Sequence, residues 1–418
     1  MKFVITNNTG FRNKGCEAMN KVIVGELTKL IQDAEFRVFT NDPMYDALWM
    51  RDNPNVSFLV SPFGGRLDQI LERLRISEGW LYYQMSKLLK KEVMKNAIET
   101  LDWSDIVLST GGDIFSSTYG TLSAHLLPIR TAIRKKKKVI LVAHSVGPFR
   151  NKKQYDLFTK VMQKVSLITV RESHSLEYVK GMNLDKVNVE LTSDPAFALS
   201  PVDLEHVKKL WEIYNIPYGQ PIIGIAPSQS IHLYGNVSYI THFKVLLTLT
   251  KFLINKLKCH ILLIPHARGL STLADDSVIC NQLYRCLNFS KDITVISLDH
   301  SAEEIRGISS KLDLMIAERM HAAIASLSQN VPTFVVGYGV KTEGILGDIF
   351  GFNNLENYMI SVKKLNEAFL KERIKNLLGR RKEVVRYLSK VMPSVKEKAK
   401  RNFTLVMDVL RQEKIEGF

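Results

Sequence analysis

The sequence predicts an α/β fold of two doubly wound, Rossmann-like domains facing across a cleft. Three observations carry this. Short β-branched or apolar runs alternate with amphipathic segments, and the alternation restarts after a proline-bearing stretch near residue 200. The third is length: 418 residues exceed what one hydrophobic core holds, since single cores stop growing near ~250–300 residues. In the first half the strand-like runs are KFVIT at 2–6, FRVFT at 36–40, VSFLV at 56–60, DIVLS at 105–109, KVILVAH at 138–144 and LITV at 167–170. Segments such as EAMNKVIVGELTKLI at 17–31 place apolar residues at helical spacing between them. After LSPVDLEH at 199–206 and IPYGQP at 216–221 come PIIGIAP at 221–227, CHILLIPH at 259–266, ITVISL at 293–298, DLMIAE at 313–318 and PTFVVGY at 332–338. Strands that alternate with helices form parallel sheets covered on both faces. The expected domains are therefore 1–200, with a helical insertion at 62–104 that includes GWLYYQM, then 201–360, and a basic helical tail at 361–418 that packs back on them.

Composition excludes several classes. At 45% hydrophobic and 24% charged residues the chain reads as globular, and no apolar run reaches the 18 or more residues of a membrane-spanning helix. MKFVITNNTG has a five-residue apolar run and no small-residue cleavage site, so a secretory signal is not expected. Four cysteines, Cys16, Cys259, Cys280 and Cys286, include no CxxC pair, which argues against a disulfide framework and a zinc knuckle. A cytoplasmic location is expected, with no metal. The net charge of +15 is uneven. Residues 1–200 carry 28 Lys/Arg against 21 Asp/Glu, residues 201–360 carry 13 against 14, and residues 361–418 carry 16 against 7. The middle is neutral and the tail strongly basic. Nucleic acid is disfavoured, because the lysines are not interleaved with aromatics and no binding motif is present. A peripheral contact with the inner face of an anionic membrane is the expectation for the tail.

In doubly wound sheets ligands sit at the carboxyl ends of strands, so the polar clusters that follow strands are the ones to read. The loop Asn7 to Ala18 brings glycines, Asn13 and Glu17 to a helix start, though without the GxGxxG pattern; a turn with Asn caps reads it equally well. Ser109-Thr110-Gly111-Gly112-Asp113 points a carboxylate toward the cleft, or caps the next helix. Arg171, after LITV, suits a carboxylate or phosphate, or pairs with Glu172 or Asp194. The strongest cluster is Glu318-Arg319-Met320-His321. It sets a fixed cation and a titratable ring beside the positive end of a helix, with Lys341 following the next strand. His266, followed by Arg268 and Asp275-Asp276, lines the same cleft or serves a structural role.

Together these stretches resemble the polysaccharide pyruvyl transferase family. The match runs in order: N-x-G-x-E-A at 13–18, TGGD at 110–113, SVGPF at 145–149, RES at 171–173, DPAF at 194–197, a PH with downstream DD at 265–276, ERMH at 318–321 and Y-x-x-K-x-x-G at 338–344. Cys16 departs from the family, many of whose members have Asp there. The resemblance implies a glycosyltransferase-B-like pair of domains that transfers the pyruvyl unit of phosphoenolpyruvate onto two hydroxyls of a sugar or lipid-linked oligosaccharide. The product is a cyclic ketal of a surface-polysaccharide precursor, with phosphate released and no cofactor needed. It implies donor contacts from Arg171, Arg319, Met320 and His321, to which Lys341 adds field. His321, Arg319 and Asp113 are then the catalytic candidates, and Asn13, Glu17, Asp113 and His266 the acceptor-side ones. A nucleotide-sugar glycosyltransferase of the same architecture, gripping a diphosphate with the same Arg and His, is the alternative.

Overall fold

The protein is described by a computed structural model covering residues 1–62, 91–116, 122–337 and 339–416. Most of the expected insertion at 62–104, GWLYYQM included, and Tyr338 lie outside the described residues; within that insertion only the helix Lys91–Trp103 is defined at length. The chain divides into two compact units. One comprises Met1–Phe11, Met19–Pro195 and Lys398–Phe418, the other Arg12–Ala18 and Ala196–Glu397.

The first unit is built on β1 (Lys2–Thr6), β2 (Glu35–Thr40), β3 (Val56–Val60), β4 (Ile106–Ser109), β5 (Gly112–Phe115), β6 (Lys138–Val146), β7 (Leu167–Val170) and β8 (Asn188–Leu191). Its sheet has the order β3-β2-β1-β4-β6-β7-β8 with β5 paired to β6, and every pairing is parallel. Strands covered on both faces should read as unbroken apolar runs. β4 and β7 do so, all four residues of each being buried. Val107, Leu141 and Ile168 meet helix residues Leu126 and Phe158 in one core. β5 and β8 were not legible as strands, because β5 is a four-residue piece begun by a glycine and β8 mixes Asn188 and Glu190 with apolar residues.

The second unit holds β9 (Ile222–Ala226), β10 (His260–Leu263), β11 (Ile293–Val295), β12 (Leu314–Ala317), β13 (Thr333–Gly337) and the unforeseen three-residue β14 (Met359–Ser361). Its order is β11-β10-β9-β12-β13-β14, again all parallel. The run CHILLIPH ends as strand at Leu263, short of Pro265, which has no N–H for a ladder, so His266 stands in the loop beyond. In both sheets the order reverses beside the first strand, between β1 and β4 and between β9 and β12. That reversal is where doubly wound sheets take ligands, outside the carboxyl ends of the strands.

Two boundaries differ from those expected. Segment Arg12–Ala18, read with the first domain, groups with the second unit. There Lys14 N–H donates to the His266 carbonyl at 3.1 Å and Arg268 N–H to the Arg12 carbonyl at 2.8 Å. The tail is not a separate body. The helix Arg381–Glu416 contributes its length up to Glu397 to the second unit and the remainder to the first.

Candidate functional site

The second unit assembles a site at its switch point. After β12, Glu318 ends the buried strand, Arg319 is the N-cap residue, and the eight-residue helix Met320–Leu327 begins. The side chain of the N-cap residue makes no capping hydrogen bond to that helix, whose start is its positive end. Arg319 is held as a fork. Its Nε and Nη2 donate to the two oxygens of Asp276 at 3.0 and 2.7 Å, and Nη2 also reaches Ser230 Oγ at 3.3 Å. The Asp276 carboxylate, wholly buried, also accepts from Gln229 N–H and Ala267 N–H, both at 2.9 Å. Four donors satisfy an acceptor of about four lone-pair sites, so the fork is set before any ligand arrives. Beneath it, Glu318 accepts from Ser228 N–H at 2.7 Å and pairs with His242 Nε2 at 2.7 Å, both side chains fully buried. Burial alone would lower the His242 pKa, but the charge and hydrogen bond of Glu318 raise it.

His321 occupies the first turn, half-buried, against Gly15 of the first segment. A Cβ at Gly15 would lie 2.1 Å from the His321 ring, so only glycine allows this approach. His266 is 3% exposed and belongs to the same cluster. Its imidazole is held well below the ordinary histidine value by burial first, then by the positive neighbours His321, Arg319, Arg306 and Lys14. Lys341 stands in the first turn of the helix Val340–Phe350, after the strand paired to β12, and burial lowers its ammonium to about 7. Met320 is the first residue of its helix and is buried. Among the described residues no group of three or more His, Cys, Asp or Glu is placed to share a metal ion.

Other candidates are engaged elsewhere. Arg171, expected at the donor, is buried in the first unit, with Nη1 on Asp194 Oδ2 at 2.7 Å and Nε on Ser145 Oγ at 2.8 Å. An arginine at a buried strand end needs a counter-charge, and the loop after β8 supplies one. Asp113 lies half-buried within β5 of the first unit. Gly111 is what permits the strand there, since a Cβ would meet Ala143 O at 2.7 Å. Asn13 and Glu17, expected to face an acceptor, hold the fold. Asn13 Oδ1 accepts from Gly15 N–H at 3.0 Å. Glu17, fully buried, accepts from Ala302 N–H at 2.9 Å and pairs with Lys14 at 3.1 Å. Lys14 is a residue of this cluster that the sequence reading did not single out, and Asp276, named there only as one of the pair after His266, is the one that holds Arg319.

Residues 13–339 match the family model described as polysaccharide pyruvyl transferase. The chain belongs to the polysaccharide pyruvyl transferase family. The amylovoran biosynthesis protein AmsJ of Erwinia amylovora is 21% identical over 412 residues, which span 94% of this chain and 95% of that protein. Among solved structures, UDP-GlcNAc 2-epimerase from Neisseria meningitidis has a TM-score of 0.60 at 13% identity, covering 98% of this chain and 100% of its own. HepE from Anabaena, in complex with UDP and glucose, has a TM-score of 0.54 at 10% identity, with full coverage of both chains. At these identities the likeness establishes the fold, two Rossmann-like parallel-sheet domains of the glycosyltransferase-B kind.

In this pyruvyl transferase family chain the Arg319–Asp276 pair yields a stability prediction. Arg319→Met leaves a buried carboxylate without its cation and is expected to cost about 2–3 kcal/mol, below the range for a fully buried pair because the arginine keeps some solvent contact. Asp276→Asn in the same chain should restore only part of that loss, because it removes the buried charge but sets its amide nitrogen against one of the two backbone N–H groups that the carboxylate accepts. Urea midpoints of the single and double variants measure it, and an unchanged midpoint for Arg319→Met would mean the pair contributes nothing.

Proposed function

We propose that the protein transfers the pyruvyl group of phosphoenolpyruvate to two hydroxyls of a sugar in a surface-polysaccharide precursor, forming a cyclic ketal and releasing phosphate. The observation that carries this reading is the pairing of a preset arginine fork with a histidine at the positive start of a helix. A donor with a carboxylate and a phosphate needs cations and free N–H groups around a carbon that will react. Arg319 and the positive start of the helix from Met320 favour such a group, and Lys341, in the first turn of the helix after the next strand, adds to the field. His321 is the acid/base candidate, within the first turn that would hold the donor. Arg171 joins the donor only if it gives up Asp194, and Asp113 belongs to the acceptor side of the reading. AmsJ, whose name places it in amylovoran biosynthesis, supports a polysaccharide setting. The acceptor is read as a sugar or lipid-linked oligosaccharide. No helix among the described residues is long and apolar enough to cross a membrane. The reading places the enzyme in the cytoplasm, as the sequence leads one to expect, and peripheral to the membrane through the exposed cations Lys382, Arg386 and Lys390 of the tail.

The second reading is nucleotide-sugar transfer, favoured by the likeness to HepE, which is bound to UDP and glucose. One assay separates the two. The protein is incubated with phosphoenolpyruvate or nucleotide-sugars and candidate glycans, while phosphate release and product mass are followed. A ketal mass with stoichiometric phosphate supports pyruvyl transfer; consumption of a nucleotide-sugar without ketal overturns it.

A further inference from the structure

His266 is a buried histidine whose two ring nitrogens have no hydrogen-bond partner among the described residues. Such a group carries a desolvation cost of roughly 1–3 kcal/mol and calls for an explanation. The groups that face it come from every surrounding segment. Lys14 belongs to the segment whose N–H bonds the His266 carbonyl, Arg306 to the helix Ala302–Ser309, and Arg319 and His321 to the start of Met320–Leu327. The nearby carboxylates are already matched. Glu17 and Asp299 each lie 3.1 Å from Lys14, and Asp276 holds both Arg319 and the N–H of Ala267, the residue after His266. The imidazole thus stands buried among positive groups, with neither ring nitrogen bonded to a described residue.

We infer that His266 is the proton-binding partner of His321, and that an anionic donor entering beside Arg319 loads this histidine pair with one proton. The inference deepens the pyruvyl-transfer reading and rests on it. Without an anion, burial and four positive neighbours keep His266 neutral. A multiply charged anion within ~4–6 Å reverses the sign of that field and favours the charged ring by roughly 1–3 pH units. By linkage, tighter anion binding and proton uptake are then the same event.

The proton has a use. As the first acceptor hydroxyl bonds to the central carbon of phosphoenolpyruvate, the double bond takes a proton at its methylene carbon and becomes a methyl. The second hydroxyl then displaces phosphate from the same central carbon. Two hydroxyl protons are released, one to refill the histidine pair and one to leave with phosphate, so atoms and charge balance without a redox partner.

The test is calorimetric binding of phosphoenolpyruvate at pH 7.5 in buffers of different ionisation enthalpy, for the full-length protein and for His266→Gln. Protonation of the ligand itself is common to both and cancels in the difference. The wild type should take up close to one proton more than the variant, and its Kd should weaken more steeply with rising pH, by up to about tenfold per unit. Equal uptake in a folded variant overturns the histidine pair while leaving the donor reading intact. Failure of the wild type to bind phosphoenolpyruvate overturns the donor reading and this inference with it. Should His266→Gln not fold, His266→Asn and the pH dependence of wild-type Kd decide: a profile no steeper than the ligand's own titration overturns the pair.

Discussion

His321→Ala is expected to lower turnover by roughly 10²–10⁴, the usual contribution of a positioned acid/base, while the protein stays folded. The ring is half-buried and rests against the backbone at Gly15, so its removal empties little core volume. The Asp276 and Glu318 networks that hold the loop in place run through Arg319, Ser228 and His242, which the variant retains. Loss of activity would therefore report chemistry and not collapse of the site. Phosphate release gives kcat, and circular dichroism with a thermal melt gives the fold. A wild-type kcat in a folded variant removes His321 from the proton transfers. The pH profile gives a second readout, since removing the group that carries the proton removes one limb of the wild-type curve, whereas removing a mere spacer leaves its shape unchanged.

The parts of this site that were legible in the sequence are those made by neighbours in the chain. Arg319 and His321 are two apart at the end of an apolar strand, and a strand followed by a helix forces them to a helix start, whatever the rest of the fold does. The doubly wound class followed from alternation alone, because a strand covered on both faces must read as an apolar run, as β4, β7 and β12 do. What was not legible depends on contacts between distant residues. Asp276 is 43 positions from Arg319, and nothing local distinguishes its carboxylate from that of Asp275, which caps its own helix through Ser277. Both could have been helix caps, and one is. The same limit applied to Arg171. The sequence offered a ligand, Glu172 or Asp194 as its partner, and the structure holds it on Asp194, 23 positions away, because the loop after β8 passes the end of β7. Glu17 likewise sits in a helix whose first turn looked free for ligand, until the helix at Ala302 was found to donate to it.

The basic tail tests the difference between composition and packing. Its charge alone would read as a solvated face, but the tail was expected to pack back, and Val384, Leu388, Met392, Ala399, Phe403 and Val406 recur at helical spacing and are all buried. Asn402 is fully buried in the first unit. It accepts from the hydroxyls of Thr169 at 2.5 Å and Thr192 at 2.9 Å and donates to the Ser193 carbonyl at 3.0 Å. Lys138 Nζ reaches the Val409 carbonyl at 3.1 Å, and Arg401 pairs with Glu190 at 2.8 Å. Ending the chain at Glu397 would strip these partners from β7 and from the loop after β8. Loss of the Phe403 side chain alone is expected to cost about 3–5 kcal/mol, and domains are held by only about 5–15. Truncation at residue 397 should therefore abolish a cooperative melt, and Phe403→Ala should lower it steeply. Replacing the exposed cations Lys382, Arg386, Lys390, Lys398 and Lys400 with Gln should leave it within about 0.5 kcal/mol per site, because surface charges contribute little to stability. The two kinds of variant separate two roles for one helix. A truncated protein that still melts cooperatively would make the tail an appendage after all. The charge-neutralised protein, if it melts normally yet loses its affinity for anionic vesicles, isolates the membrane contact from the core that the same helix completes.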